Sequence, residues 1–248
     1  MTAYDRIGTT YAGTRRPDPR IEAQIADALG DARSVVNVGA GVGSYEPRDR
    51  DVTAVEPSAV MIAQRPAAAA PAVQAVAERL PFADDAFDAS LAVLTMHHWG
   101  DWRAGVAELR RVARKRAVML TFDPGRIAGY WLVRDYLPEI ATLDEARFPP
   151  LATVAEALGG ADLRPVPIAA DCSDGFLCAY WKRPEIYLDA GARANISSLA
   201  VLAPDVIEPA MARLGRDIDD GTWAERNAAL LAGDAHDFGY RLLVAERP

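Results

Sequence analysis

Three glycines in Asn37-Val38-Gly39-Ala40-Gly41-Val42-Gly43, and a carboxylate, Glu56, 17 positions after the first of them, have the types and spacing best suited to ligand chemistry. Glycines let a backbone approach a ligand without side-chain interference and adopt positive φ where a turn needs it. Glu56 closes a second apolar run, and a carboxylate at that place can accept both hydrogens of a ribose diol. A plain tight turn, followed by a helix starting at Pro57-Ser58, would use the same letters, so the pairing of loop and carboxylate carries the signal. The third glycine falls one position earlier than in the G-x-G-x-x-G dinucleotide fingerprint, which favours a ligand without a pyrophosphate.

A second group of residues could move protons. His97 and His98 follow a fourth apolar run and Asp123 follows a fifth, 26 positions after His97, so all three are expected at one cleft. Histidine suits general base work because its ordinary pKa, about 6.5, lies near working pH. His97 is the expected base and Asp123 its orienting partner; packing beside Trp99 is the plainer role for either histidine. Trp99, Tyr130, Trp131, Tyr136, Phe176, Tyr180 and Trp181 are candidates for an acceptor pocket, although aromatic residues at helical spacing also serve as core.

These residues need a scaffold that brings loops together. Asp18-Pro19 is a cap followed by a first-turn proline, Ile21, Ile25, Ala28 and Leu29 recur at helical spacing, and Gly30 can end the helix. Short apolar runs at 34–38, 52–56, 73–77, 87–94 and 117–122 read as buried parallel strands. A helix through Met61 and another from Asp101 to about Ala113 lie between them. Leu163 to Ile168 and Arg241 to Ala245 are candidate sixth and seventh strands. Strands alternating with helices predict an α/β fold, a doubly wound, seven-stranded, mainly parallel sheet, with a helical lid inserted before the last strand. One domain over 1–248 is expected, its core at about 20–124, 161–170 and 237–248 and its lid at about 1–19, 125–160 and 171–236.

Composition narrows the function classes. A formal charge of −8 argues against nucleic acid as the main partner, since phosphate binding needs a positive surface. The one basic cluster, Arg110 to Arg116, is expected at a helix C-terminus, where cations complement the dipole. The two cysteines, Cys172 and Cys178, lack zinc or disulfide spacing, so a reducing cytoplasm and no metal are expected. No basic-then-apolar leader and no stretch near roughly 20 apolar residues is seen, so neither export nor membrane anchoring is expected. Monomer and homodimer are equally open.

Three further segments resemble the class I, Rossmann-like S-adenosylmethionine-dependent methyltransferases, in particular their type 11 small-molecule branch. Val55-Glu56-Pro57-Ser58 with Met61 resembles the ribose-binding strand end. The run from Ala77-Glu78-Arg79-Leu80-Pro81-Phe82 to Phe87-Asp88 is similar to the family's A-E-x-L-P-F-x-D-x-x-F-D segment. His97 to Asp101 with Glu108-Leu109-Arg110-Arg111-Val112 resembles the region after the fourth strand.

The resemblance implies S-adenosylmethionine as cofactor, S-adenosylhomocysteine as product and a small-molecule acceptor. It implies Asn37, Gly39, Ala40 and Gly41 around the methionine moiety and Glu56 on the ribose. Pro57, Met61, Ala77 and Glu78 would surround the adenine, with Leu94 and Thr95 beneath the sulfonium. Tyr11 with Arg15 or Arg16 looks like the pair that closes over the cofactor in several relatives. The spacing of His97 and Asp123 resembles that of the active-site His and Asp of some sugar O-methyltransferases; since a histidine base suits a hydroxyl or an acidic carbon, O- or C-methylation with His-assisted deprotonation is expected. The absence of an Asn/Asp-Pro-Pro-Tyr/Phe motif speaks against nucleic-acid amine methylation.

Four departures stand beside the match. Asn37 replaces the usual acidic residue, only Ser44 to Asp51 separates the last loop glycine from the second strand, Val76 stands where an aspartate is common, and Ala113 to Arg116 replaces a proline-glycine turn. They keep open a non-catalytic protein that binds S-adenosylmethionine, while the strand-glycine-carboxylate pattern alone would also admit an NAD(P)-dependent oxidoreductase.

Overall fold

The computed structural model describes residues 16–247. Helix α1 (Pro19–Leu29) begins at Asp18, whose side chain accepts from the Arg20 backbone N–H, and ends at Gly30, which takes a φ of 52°. Its apolar stripe of Ile21, Ile25, Ala28 and Leu29 is buried against the sheet, which is what fixes an amphipathic helix in place.

The strands are β1 (Ser34–Val38), β2 (Asp51–Val55), β3 (Ala72–Val73), β4 (Phe87–Val93), β5 (Ala113–Phe122), β6 (Asp162–Pro165), β7 (Ile168–Ala169), β8 (Ala235–His236) and β9 (Tyr240–Glu246). Seven of them form one sheet in the order β3-β2-β1-β4-β5-β9-β6. Neighbours from β3 to β5 run parallel, and β9 is antiparallel to both β5 and β6. The order reverses between β1 and β4, so the connections leaving these strands diverge and open a crevice at their carboxyl ends. The period-2 alternation of a strand sorts the core into two layers. Val35, Val118 and Leu120 face α1 and the lid, whereas Val36, Met119 and Leu243 face the layer of α3 (Trp102–Val112).

Three sequence expectations shift. The third strand shortens to two residues, since it lies at the sheet edge and Val76 is 47% exposed. The sixth breaks around Pro167: β6 joins the main sheet and β7 pairs with β8 instead, because a proline cannot donate to a ladder. The basic cluster divides between the last turn of α3, with Arg110 and Arg111, and β5, with Arg114, Lys115 and Arg116. Arg114 pairs with Asp88 and Lys115 with Asp31, bracing the end of the sheet remote from the crevice.

Residues 130–240 contribute most of the large aromatics. Tyr130 and Tyr187 share a hydroxyl hydrogen bond of 2.6 Å, and the Trp131 indole donates to Trp181 O at 3.0 Å. Trp181 in turn donates to Ile168 O at 3.1 Å. The polar tips of these four rings thus find partners, as large amphipathic rings favour. No helix among the described residues is long and apolar enough to cross a membrane.

A buried polar knot ties the start of α1 to the lid. The Tyr45 hydroxyl accepts from Asp18 N at 3.2 Å and donates to Asp174 Oδ2 at 2.9 Å. Asp18 Oδ2 accepts from Ser173 N at 3.1 Å. Burial alone would raise the Asp18 carboxyl, but hydrogen bonds from Arg20 and the Ser173 N–H prevail and hold it at about 2. A carboxyl depressed in the folded state adds stability above its unfolded pKa of about 4 and loses it as pH falls through about 2. Asp18→Ala is therefore expected to lower unfolding free energy at pH 7 by about 1–2 kcal/mol, the range of a lost cap. In urea titrations the gap to wild type should close as pH falls from 4 towards 2.

Candidate functional site

The glycine loop leaves β1 at the mouth of the crevice. Gly39 and Ala40 donate to Val55 O at 2.8 and 3.0 Å, locking the loop to the end of β2. Gly39 has φ 71°, and a Cβ on it would lie 2.0 Å from Thr95 Oγ1 at the end of β4. The loops after β1 and β4 pass each other at a distance only glycine allows.

No helix forms between Gly43 and β2, in line with the short Ser44–Asp51 stretch. A buried ion pair does the bracing instead. Arg65 Nη2 donates to Glu46 Oε1 and Oε2 at 2.6 and 2.8 Å, and Nη1 donates to Gly41 O at 2.9 Å. Both side chains are less than a tenth exposed. Asn37 Nδ2 donates to Glu46 Oε1 at 3.3 Å, so the amide that replaces an acidic residue is tied into the same brace. Sequence reading missed Glu46 and Arg65, since no periodicity connects two charges separated by a turn and by α2 (Ala59–Ala63).

Glu56 is 6% exposed and sits at the end of β2. Its Oε2 accepts from Gly41 N and its Oε1 from Ser58 N, both at 2.9 Å. These bonds orient Glu56 in the wall of the crevice. Glu78 Oε1 accepts from Gly100 N at 2.6 Å and Asp101 N at 3.1 Å, pinning the segment after the histidines. Trp99 packs over Gly105 of α3, where a Cβ would lie 2.4 Å from its ring.

These elements enclose a cavity of about 250 Å³. Asn37, Gly39, Ala40, Gly41 and Glu56 line one side of it. Pro57, Met61, Ala77 and Glu78 line another, and Leu94, Thr95, His98 and Trp99 close it. Tyr45, one member of the polar knot, is also in the wall. Trp99, expected in an acceptor pocket, therefore belongs to the first cavity. Arg16 is exposed and does not line it, and Tyr11 and Arg15 lie outside the described residues.

A second, smaller cavity of about 60 Å³ adjoins the first through Leu94, which lines both. Leu94 holds a φ of 49°, a left-handed conformation costly for a residue with a Cβ and typical of functional turns. His97 faces the second cavity and His98 the first, although their ring centroids are only 3.8 Å apart. His97 stacks on Phe148 at 4.7 Å. Phe122, Phe176 and Tyr240 supply further apolar wall.

Two expectations for the acceptor side are corrected here. Asp123 lines neither cavity; its Oδ1 caps the following turn by accepting from Gly125 N at 3.1 Å, so it does not orient His97. Tyr130, Trp131, Tyr136, Tyr180 and Trp181 also line neither cavity. They are at most 8% exposed within the lid core, and Tyr136 donates to Asp217 Oδ2 at 2.7 Å. Of the aromatic residues proposed for the acceptor, Phe176 alone lines the second cavity.

The carboxylate that shares the cavity with His97 is Asp144, on α5 of the lid, which follows α4 (Trp131–Asp135) and spans Glu139–Arg147. It is 3% exposed and accepts from Ser198 Oγ at 3.1 Å. Burial pushes its carboxyl up to about 6, opposed in part by the Ser198 hydrogen bond and the charge of Arg147. An acidic residue at a mid-helix position with an ordinary polar face gave no reason to single it out in the sequence.

The description "methyltransferase domain" matches residues 36–121. Over nearly the whole chain, a candidate methyltransferase from an antibiotic biosynthesis pathway of Anabaena variabilis is 32% identical, with a TM-score of 0.87, covering 94% of this chain and 98% of that one. The chain belongs to the class I, Rossmann-like S-adenosylmethionine-dependent methyltransferases, in the type 11 branch. Geranyl diphosphate C-methyltransferase of Streptomyces coelicolor, solved with S-adenosylhomocysteine, shares the fold at 18% identity and a TM-score of 0.53, covering 92% of this chain and 75% of that one. The cyclase SpnF does so at 17% and 0.56, covering 99% and 93%. Uncharacterized protein YafE of Escherichia coli is 36% identical over 63 residues, 24% of this chain and 30% of that protein, so the match spans under a third of that relative.

Asp144 has a consequence for stability. A carboxyl raised in the folded state takes up protons on folding, so stability falls as pH rises from about 4 to about 6. Above that range the cost is on the order of 3 kcal/mol at most. Asp144→Asn keeps an acceptor for Ser198 and is expected to be more stable than wild type at pH 7 by up to about 3 kcal/mol. Paired urea titrations should show the gain vanish near pH 4; a less stable variant at pH 7 would contradict the assignment.

Proposed function

We propose that this protein transfers a methyl group from S-adenosylmethionine to a small-molecule acceptor, with the cofactor in the larger cavity and the acceptor in the smaller one. The observation that carries the reading is the shared wall at Leu94, where a family-type cofactor crevice and a second cavity bearing a histidine adjoin. The residues fit the cofactor: the Gly39 and Gly41 backbone suits the methionine moiety, Glu56 the ribose diol, and Pro57, Met61, Ala77 and Glu78 the adenine. When bound, S-adenosylmethionine supplies an activated methyl group on a sulfonium, so the chain needs no covalent intermediate of its own.

The protein's part is alignment, exclusion of water and removal of one proton. The Glu46–Arg65 brace holds the glycine loop, Leu94 separates the two chambers, and the aromatic wall keeps the second chamber dry. In this reading His97, which lines the second cavity, takes a proton from an acceptor hydroxyl or acidic carbon, and the methylation is on oxygen or carbon. Two of the departures that keep a non-catalytic binding protein open, Asn37 and the shortened turn, have structural substitutes in Glu46 and Arg65; Val76 has none. Membership of the methyltransferase family sets aside the nicotinamide alternative.

Calorimetry with S-adenosylmethionine and S-adenosylhomocysteine tests the cofactor site. Micromolar binding is expected, weakened at least tenfold, about 1.4 kcal/mol, in Glu56→Ala, with NADH inert. Arg65→Met should weaken both sulfur ligands as well, through the loop and without touching them. Undiminished binding in Glu56→Ala would remove the ribose assignment. With an acceptor found by radiolabelled methyl transfer, His97→Gln should lower kcat by about 10²- to 10⁴-fold and leave S-adenosylhomocysteine affinity unchanged.

A further inference from the structure

The second cavity combines features that select charge as well as size. Asp144 is buried among the rings of Phe122, Phe148, Phe176 and Tyr240, which all line the same space. Its one side-chain hydrogen bond among the described residues comes from Ser198, to Oδ1. No lysine or arginine of the described residues lines the cavity. Arg147, one turn along α5, lowers the cost of the charge without entering the space. A buried carboxylate with a single hydroxyl donor is under-compensated, and such a group gains most from a ligand that brings donors or positive charge. The aromatic side chains that share the wall, Phe122, Phe148, Phe176 and Tyr240, act in the same direction where a ring presents its face, since ring quadrupoles attract cations and repel anions.

We propose that Asp144 is the specificity-determining residue of the acceptor chamber, anchoring an acceptor with a small apolar body through an ammonium or other N–H donor and excluding anionic acceptors. The proposal rests on the two-chamber methyltransferase reading and adds the acceptor's charge class to it. The anchoring group is distinct from the methylated atom, which must approach Leu94 and His97. The chamber's narrowness confines the choice to a molecule with few atoms at this end. An acceptor carrying a carboxylate or phosphate there would face the Asp144 charge with no cation in the wall to offset it. The position of Asp144 on a lid helix, outside the matched segment of residues 36–121, agrees with a role in choosing the acceptor, while the matched segment builds the cofactor side.

A charge series of near-equal size tests this directly: benzylamine, benzyl alcohol and benzoate, titrated into protein saturated with S-adenosylhomocysteine at pH 7.5 and followed by ligand-observed NMR. Wild type is expected to bind benzylamine at least tenfold more tightly than benzoate, with benzyl alcohol between them. Asp144→Asn, which should fold at least as well as wild type, is expected to bring the amine and the carboxylate within about twofold of each other at unchanged S-adenosylhomocysteine affinity. Equal or better binding of benzoate to wild type, no detectable binding of benzylamine, or a preference that survives Asp144→Asn overturns the proposal and leaves the cofactor reading intact. Failure of S-adenosylhomocysteine to bind overturns the two-chamber reading, and this inference with it.

Discussion

The close passage of Gly39 against Thr95 is the constraint on which the site depends. Two loops leave neighbouring parallel strands at the point where the sheet reverses its winding, and a crevice between them needs their backbones held at a fixed, short separation. A side chain at position 39 would collide with Thr95, and the positive φ there already excludes most residues. The loop therefore has little stability of its own and must be held from outside. The buried Glu46–Arg65 pair does so, with one guanidinium reaching a carboxylate and the Gly41 carbonyl. A planar fork with several donors suits such bracing better than a point charge.

From that frame the two chambers follow. Leu94, strained at the end of β4, separates them, and the turn immediately after it sends two adjacent histidines to different sides. Adjacent residues in a short 3-10 turn cannot share a face, so one histidine lines each chamber. Asp144 shows where folding stability is given up at this site. Its carboxyl is raised by burial in a wall it shares with several aromatic side chains.

The lid is built by the same rule as the sheet core. Its large aromatics, Tyr130, Trp131, Tyr187 and Trp181, pack on one another with their polar tips hydrogen-bonded. They give the lid a rigid interior, and only its inner edge, with Phe148, Phe176, Asp144 and Ser198, reaches the chamber. The Asp18–Tyr45–Asp174 knot joins this lid to α1 and to the wall of the larger cavity, so the two sides of the crevice are mechanically connected.

Much of the larger cavity was legible in the sequence because it is local. Asp18 and Asp101 announce their helices, apolar runs mark β1, β2, β4 and β5, and the lining from Asn37 to Thr95 follows from where strands end. Short-range spacing encodes such features, since a strand end and its loop are continuous in chain. The second cavity depends on contacts across long separations, and only tertiary structure decided it. Asp123 shares a sheet edge with His97 yet turns to cap its own loop, while Asp144 arrives from a lid helix that periodicity describes as an ordinary one. Likewise Glu46 and Arg65 form one device only after α2 folds back on the glycine loop. Burial, which converts a surface carboxyl into one pushed up to about 6, is a property of the packed whole and cannot be read from neighbours in sequence.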